Sequence, residues 1–267
     1  MFLCGRLKAG GAVPCGTAAL VALGRAHLPG RRRPGRRRAG ARRAAWLLGL
    51  VLALCARGPV LALDDARMQQ AAGALGAGAQ TAMTNLKELV LQMSRKGEMS
   101  RLVDANRYVN RRLTFTSDQQ TWGQEDYWAS PLEALARGSG DCEDYAIAKY
   151  FSLVAAGTPQ ARLRLVYVRA QLNGLGLPVA ANEVPAGRSQ AHMVLAYYPD
   201  NGGEPLILDN LVNDIKPASH RKDLTPVFSF NGEGLWDGAG PRSAGDPRSR
   251  LSRWRDVLRK ARDEGFD

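Results

Sequence analysis

The sequence predicts an α+β fold, with helices in the N-terminal half and an antiparallel sheet behind them. Apolar residues recur at helical spacing between Thr81 and Val154. From Arg162 onward, short apolar segments are separated by Gly-, Pro- and Asn-rich turns, as strands are. Between these halves lies Gly138-Ser139-Gly140-Asp141-Cys142, a glycine-rich turn that leads into a helix with a cysteine in its first turn.

In chain order, Leu63–Gly78 is rich in Ala, Gly and Gln and is expected to pack poorly. Thr81–Met93 carries a helical stripe of Met83, Leu86, Leu89, Val90 and Met93, and Met99–Arg112 carries a second. Such stripes are more often core than cofactor contacts. Trp122–Pro131 reads as an aromatic loop, and Pro131 opens a short helix, Leu132–Arg137, stopped at Gly138. In the cysteine helix Asp141, or Ser139 if the helix starts earlier, is positioned to cap the free N–H groups. Gly157-Thr158-Pro159 ends it.

Arg162–Ala170 alternates as a strand, and Asn173–Ser189 is a Gly/Pro-rich loop. Ala191–Tyr198 and Pro205–Leu211 form two more strands around the turn Pro199–Glu204. Val227–Gly232 is expected as an edge strand, and Leu251, Trp254 and Leu258 mark an amphipathic tail helix.

The formal charge of +12 is misleading. Residues 1–62 hold 12 of the 37 Lys and Arg and none of the 25 Asp and Glu, so the remainder is neutral. A nucleic-acid footprint on the folded part is not supported; a basic nucleic-acid binder would need the leader retained. The leader itself reads as an export signal: a basic stretch to Arg42-Arg43, an apolar run Ala44–Cys55, then Val60-Leu61-Ala62. Cleavage is expected after Ala62, leaving one domain over residues 63–267. An uncleaved anchor stays open, although the run is shorter than the roughly 20 residues of a comfortable span. Arg42-Arg43 is also weakly like a twin-arginine signal, and the length of the leader puts the start at Met1 in question. Cys4, Cys15 and Cys55 fall in the leader, so the exported part keeps only Cys142, a candidate reactive thiol.

A free thiol is only a few per cent ionised at neutral pH. A helix N-terminus favours the thiolate, but Asp141, Glu143 and Asp144 oppose it, each by roughly 1 kcal/mol if nearby and solvated. Such a thiol needs a cation, an imidazolium, or both. Outside the leader there are two histidines, His192 and His220, and no role is assigned to His220. A lone strand histidine is usually a satisfied, partly buried residue. Here a two-residue turn at Asp200-Asn201 would set His192 directly opposite Asp209, on the same side of the sheet. A one-residue bulge at Gly202-Gly203 would put the carboxylate on the other face. Thiol, imidazole and carboxylate together have the logic of an activated cysteine nucleophile, with Cys142 attacking an acyl carbon, His192 holding the thiolate and Asp209 fixing the ring tautomer. The N–H of Cys142 would supply one oxyanion donor, and Trp128 or Trp122 the second.

Gly140-Asp141-Cys142-Glu143-Asp144-Tyr145-Ala146, Ala191-His192-Met193-Val194-Leu195 and Leu208-Asp209-Asn210-Leu211 resemble the bacterial transglutaminase-like cysteine peptidases of the LapG type. Asp126-Tyr127-Trp128-Ala129, Arg221–Val227 and Phe230-Asn231 support the likeness, which spans roughly Leu86–Trp236. The resemblance implies a papain/transglutaminase-like fold and a periplasmic endopeptidase that clips the N-terminal region of a large surface adhesin and so releases a biofilm. It implies calcium dependence, with Asp141, Glu143 and Asp144 at the ligand positions, and sequestration by an inner-membrane receptor that senses cyclic di-GMP. Hard carboxylate oxygens suit calcium. Two alternatives remain: an acyltransferase that crosslinks glutamine to amines, and a catalytically silent calcium- or receptor-binding module.

Overall fold

A computed structural model describes residues 63–171, 189–199 and 203–266. The expected leader, the Asn173–Ser189 loop (except Ser189) and the Asp200-Asn201 turn lie outside the described residues.

The helices come first, as expected: α1 Asp65–Leu75, α2 Ala77–Ser94, α3 Glu98–Arg112, the short α4 Asp118–Trp122, α5 Pro131–Arg137 and α6 Cys142–Ala155. A two-residue parallel pair joins β1, Thr114–Phe115, to β2, Ser139–Gly140. It ties the segment after α3 to the turn before α6. The main sheet holds β3 Leu163–Gln171, β4 Ser189–Tyr197, β5 Leu206–Leu208, β6 Lys216–Pro217, β7 Leu224–Phe230, β8 Leu235–Asp237 and β9 Ser243–Gly245. Its order is β6-β5-β4-β3-β7-β8-β9, every pairing antiparallel. Two C-terminal helices follow, α7 Pro247–Arg250 and α8 Ser252–Asp263.

Strand alternation divides the sheet's faces. Leu163, Leu165, Met193, Leu195 and Phe230 join one core with Leu86, Leu102, Leu135, Ile147 and Trp254 from the helices. Val166, Val168, Val194, Ala196 and Ile207 form a smaller apolar layer of their own. The helix α6 is buried along nearly its whole length and packs on β4, β3, α3 and α5. That burial fixes its N-terminus against the sheet.

Local signals explain the turn before the cysteine. Ser130 caps α5 in a capping box with Glu133, Pro131 takes the first turn, and Gly138 ends the helix at φ 72°. A Cβ on Gly140 would run into the Asp144 carboxylate, so only glycine fits there.

Four expectations need correction. Residues 65–75 are a helix whose Met68 and Ala72 are fully buried, because the C-terminus returns to cover it: Leu63 bridges to Phe266, and Asp64 N–H donates to the Gly265 carbonyl at 2.8 Å. The third strand shrinks to Leu206–Leu208, since Asp209 turns its carboxylate back onto the Leu211 N–H at 3.0 Å. Strand β7 is internal, flanked by β3 and β8, so it is not an edge. Asp141 occupies the N-cap position of α6, but its side chain makes no capping bond.

Candidate active site and metal centre

Cys142 is the first residue of α6, and it is partly exposed. Its sulfur accepts a hydrogen bond from the Met193 N–H and lies 3.1 Å from Glu143 Oε2. Burial, then the charges of Glu143 and Asp141, push the thiol well above its ordinary value, and the Met193 bond opposes them. The sulfur therefore meets the strand at the amide next to His192.

Strand β4 carries His192 on the turn-distal side of that contact. Its Nε2 lies 2.8 Å from Asp209 Oδ1, and both groups are buried. With Nε2 committed, Nδ1 is the ring nitrogen left for chemistry. The pairing expected from the turn was off in register: Leu195 pairs with Leu208, so Asp209 falls one step beyond β5, level with Val194 rather than His192. The slip is two residues, and a slip of two keeps the face. Imidazole and carboxylate still meet, on a diagonal.

Asp209 is 1% exposed and fully engaged. Its Oδ1 also accepts from Leu211 N–H, and its Oδ2 accepts from Arg221 Nη2 at 2.7 Å. Its main-chain oxygen accepts from Asn110 Nδ2 at 2.8 Å. Burial alone would raise this carboxyl. The bond and charge of His192, then Arg221 and the Leu211 N–H, outweigh burial and hold it well below the usual range. Arg221 in turn is braced by Asp223. Sequence reasoning gave Arg221 no role; its only signal was membership of the Arg221–Val227 stretch. Lys149, two turns along α6, is also buried, and burial pushes it down to about 7 against the opposing charge of Asp209.

The acids beside the thiol converge with two that sequence reasoning missed. Asp118, Asp141 and Asp144 bring carboxylate oxygens within 4.8 Å of one another, as do Asp118, Asp126 and Glu143. The short polar helix that Asp118 opens has no apolar periodicity to mark it. Hydrogen bonds from main-chain N–H groups fix two of these carboxylates, Tyr127 on Asp118 at 2.6 Å and Ala129 on Asp144 at 2.8 Å. The other oxygens, Asp118 Oδ1, Asp141 Oδ1 and Asp144 Oδ2, are buried without a partner. Burial first, then mutual repulsion, pushes Asp118 up to about 6, Asp144 to about 8 and Asp141 to about 10. Three orphaned carboxylate oxygens facing one another are the donor set of a hard divalent cation such as calcium. The residues present fit it.

The tryptophans take different places. Trp128 stacks on Phe230 at 5.7 Å, and its carbonyl accepts from Lys260 Nζ. The indole N–H of Trp122 lies by Asp144 and favours that carboxyl's ionised form.

A family model for bacterial transglutaminase-like cysteine proteinases matches residues 79–223. Three solved structures of Legionella pneumophila LapG are similar at 36% identity. The EGTA-treated form has a TM-score of 0.59, with 73% of this chain and 95% of that one covered. A second LapG structure gives 0.58 over the same shares. The calcium-bound form gives 0.57, covering 72% and 96%. No curated protein matches the chain.

Proposed function

The chain belongs to the bacterial transglutaminase-like cysteine proteinases, and from that premise we propose a calcium-dependent endopeptidase working through Cys142, His192 and Asp209. It is a cysteine protease by family. The observation that carries the residue assignment is the buried His192–Asp209 pair at 2.8 Å, next to the amide that binds the Cys142 sulfur.

In this reading His192 Nδ1 takes the thiol proton. The thiolate then attacks the scissile carbonyl carbon, and the C–N bond breaks as the imidazolium returns its proton to the leaving amine. Water, deprotonated by the same imidazole, hydrolyses the thioester. Asp209 holds the ring with Nε2–H toward itself and stabilises the imidazolium, while Arg221 keeps Asp209 ionised and aimed. The Cys142 N–H at the start of α6 faces the developing oxyanion, with Trp128 as the second donor, since the indole N–H of Trp122 is buried beside Asp144.

Asp118, Asp141 and Asp144, with Glu143, would hold calcium, whose charge offsets the carboxylates that otherwise suppress the thiolate. LapG from Legionella pneumophila has been solved both calcium-bound and EGTA-treated, which supports calcium here. The family likeness likewise supports a periplasmic protein, exported by its N-terminal signal peptide. Its substrate would be the N-terminal region of a large surface adhesin, and its restraint an inner-membrane receptor for cyclic di-GMP. The test is incubation of an adhesin N-terminal fragment with the protein and its Cys142→Ala variant, read on a gel. Cleavage by the first alone is expected. Cleavage by a folded Cys142→Ala protein would overturn the assignment.

A further inference from the structure

Lys149 takes no direct part in the chemistry of the thiol, yet it lies on the same helix, two turns beyond Cys142. Its side chain is 1% exposed. Among the described residues no hydrogen bond or ion pair holds its Nζ, which lies over the Tyr145 ring, 5.9 Å from the centre. A lysine is almost never buried so fully unless it is paired, and an isolated ammonium in an apolar interior is strongly disfavoured. The position calls for a counter-charge.

Asp209 is that charge. Helix α6 packs on β4, β3, α3 and α5, and of the charged and titratable groups around it, His192, Tyr145, Arg221 and Asp209 among them, only Asp209 acts on Lys149. Burial pushes the amine down to about 7, against that attraction. His192, Arg221 and the Leu211 N–H act more strongly on Asp209 itself, because they touch it. Lys149 acts through space. Its charge is still needed for balance. Asp209 and Asp223 hold one guanidinium between them, that of Arg221, so two carboxylates face one cation while the His192 ring is neutral. An ammonium at Lys149 offsets the excess. Once the ring is protonated, imidazolium and ammonium draw on the same carboxylate.

We propose that Lys149 is a positioning residue of the catalytic pair: its buried amine is the distant counter-charge of Asp209, and it keeps the His192 imidazolium free to return its proton to the leaving amine. Without it, the whole charge of Asp209 falls on the ring. The positioning role rests on the protease reading, whereas the charge coupling between Lys149 and Asp209 does not.

The coupling is read by NMR on the calcium-loaded full chain carrying Cys142→Ala and isotope-labelled lysine. The Lys149 Cε signal is identified by its loss in Lys149→Met, an apolar replacement of similar volume that a buried site accepts. Asp209→Asn should lower the Lys149 midpoint by at least one pH unit, about a tenfold change in proton affinity. Arg221→Met, which frees Asp209 for the amine, should raise it. A midpoint indifferent to both changes would overturn the proposal. With Cys142 restored, Lys149→Met should cut kcat on the adhesin fragment at least tenfold and leave KM unchanged. A kcat equal to the parent's, whatever happens to the melting temperature, would overturn the positioning role. If the parent chain does not cleave, the protease assignment fails by itself, and the midpoint shifts still decide the coupling.

Discussion

Arg221 shows how much of the candidate site is electrostatic support rather than reacting groups. One guanidinium holds Asp209 and Asp223 together, and Asp209 is its buried partner. Replacing Arg221 by Met removes the cation but keeps the stem, so Asp209 is left with His192 and one N–H. Breaking a buried pair from one side costs about 3–5 kcal/mol, and the lower end is expected because His192 remains. The pH dependence has a definite sign. Asp209 is held below its unfolded value, so its contribution is present above about pH 4 and is lost as pH falls through the folded value. Urea unfolding of the two proteins should therefore differ most at neutral pH and converge in acid. A gap under about 1 kcal/mol at pH 7 would show that Arg221 does not carry this load.

Between elements, the tail helix does for the N-terminal helices what Arg221 does for Asp209. Glu264, just beyond α8, accepts hydrogen bonds from Ser130 Oγ and from the Leu132 N–H at the start of α5. Burial pushes its carboxyl up to about 7, against those bonds. A raised acid favours the folded state most below its unfolded value, near 4.3, and that contribution is lost as pH climbs through 7. Glu264→Gln should flatten this slope, and thermal melts between pH 5 and 8 would show a smaller fall than in the parent protein. Gly140 joins two elements as well: Gly140→Ala drives a methyl group into Asp144 and should weaken calcium binding at least tenfold, as measured by calorimetry. These element-level contacts were the least legible in the sequence. The place of Cys142 at a helix start and the meeting of His192 with Asp209 were legible, because the flanking segments have a clear period and parity made the face of Asp209 insensitive to a two-residue slip. Helix α1 was not, because an Ala- and Gly-rich stretch shows its burial only when the C-terminus returns over it. Nor was the internal position of β7: its outer partners are three-residue strands in a Gly/Pro-rich segment. Asp118 reaches Asp141 and Asp144 across more than 20 positions of chain, with no local signal at all.

Taken over the whole molecule, charge is distributed so that one site concentrates acids beside the thiol. Residues from 63 onward balance to zero, yet Asp118, Asp141 and Asp144 crowd their carboxylates together beside Glu143 and the thiol. Ion pairs occupy other acids, such as Glu133 with Lys260 and Asp104 with Lys96; among the described residues Asp118, Asp141 and Asp144 make no ion pair, Arg253 acting on Asp118 only while paired with Asp126, and each leaves a buried oxygen without a partner. Without a cation the cluster must take up protons or repel itself, and either state opposes folding or opposes the thiolate. Calcium should thus act on stability and activity together. Binding to the folded state alone adds about 2.7 kcal/mol at a hundredfold excess over Kd, so the melting temperature should rise with calcium and fall in EGTA. Proteolysis should vanish in EGTA and return with calcium, while magnesium, which demands a tight octahedron and keeps its waters, should restore little. Asp118→Asn separates the effects of this cluster from general ionic strength: it removes one charge from the set and should lower calcium affinity without touching the thiol. If melting temperature and cleavage were the same in EGTA and in calcium, the crowding of these acids would need another explanation, and the suppressed thiol would have to be activated by His192 alone.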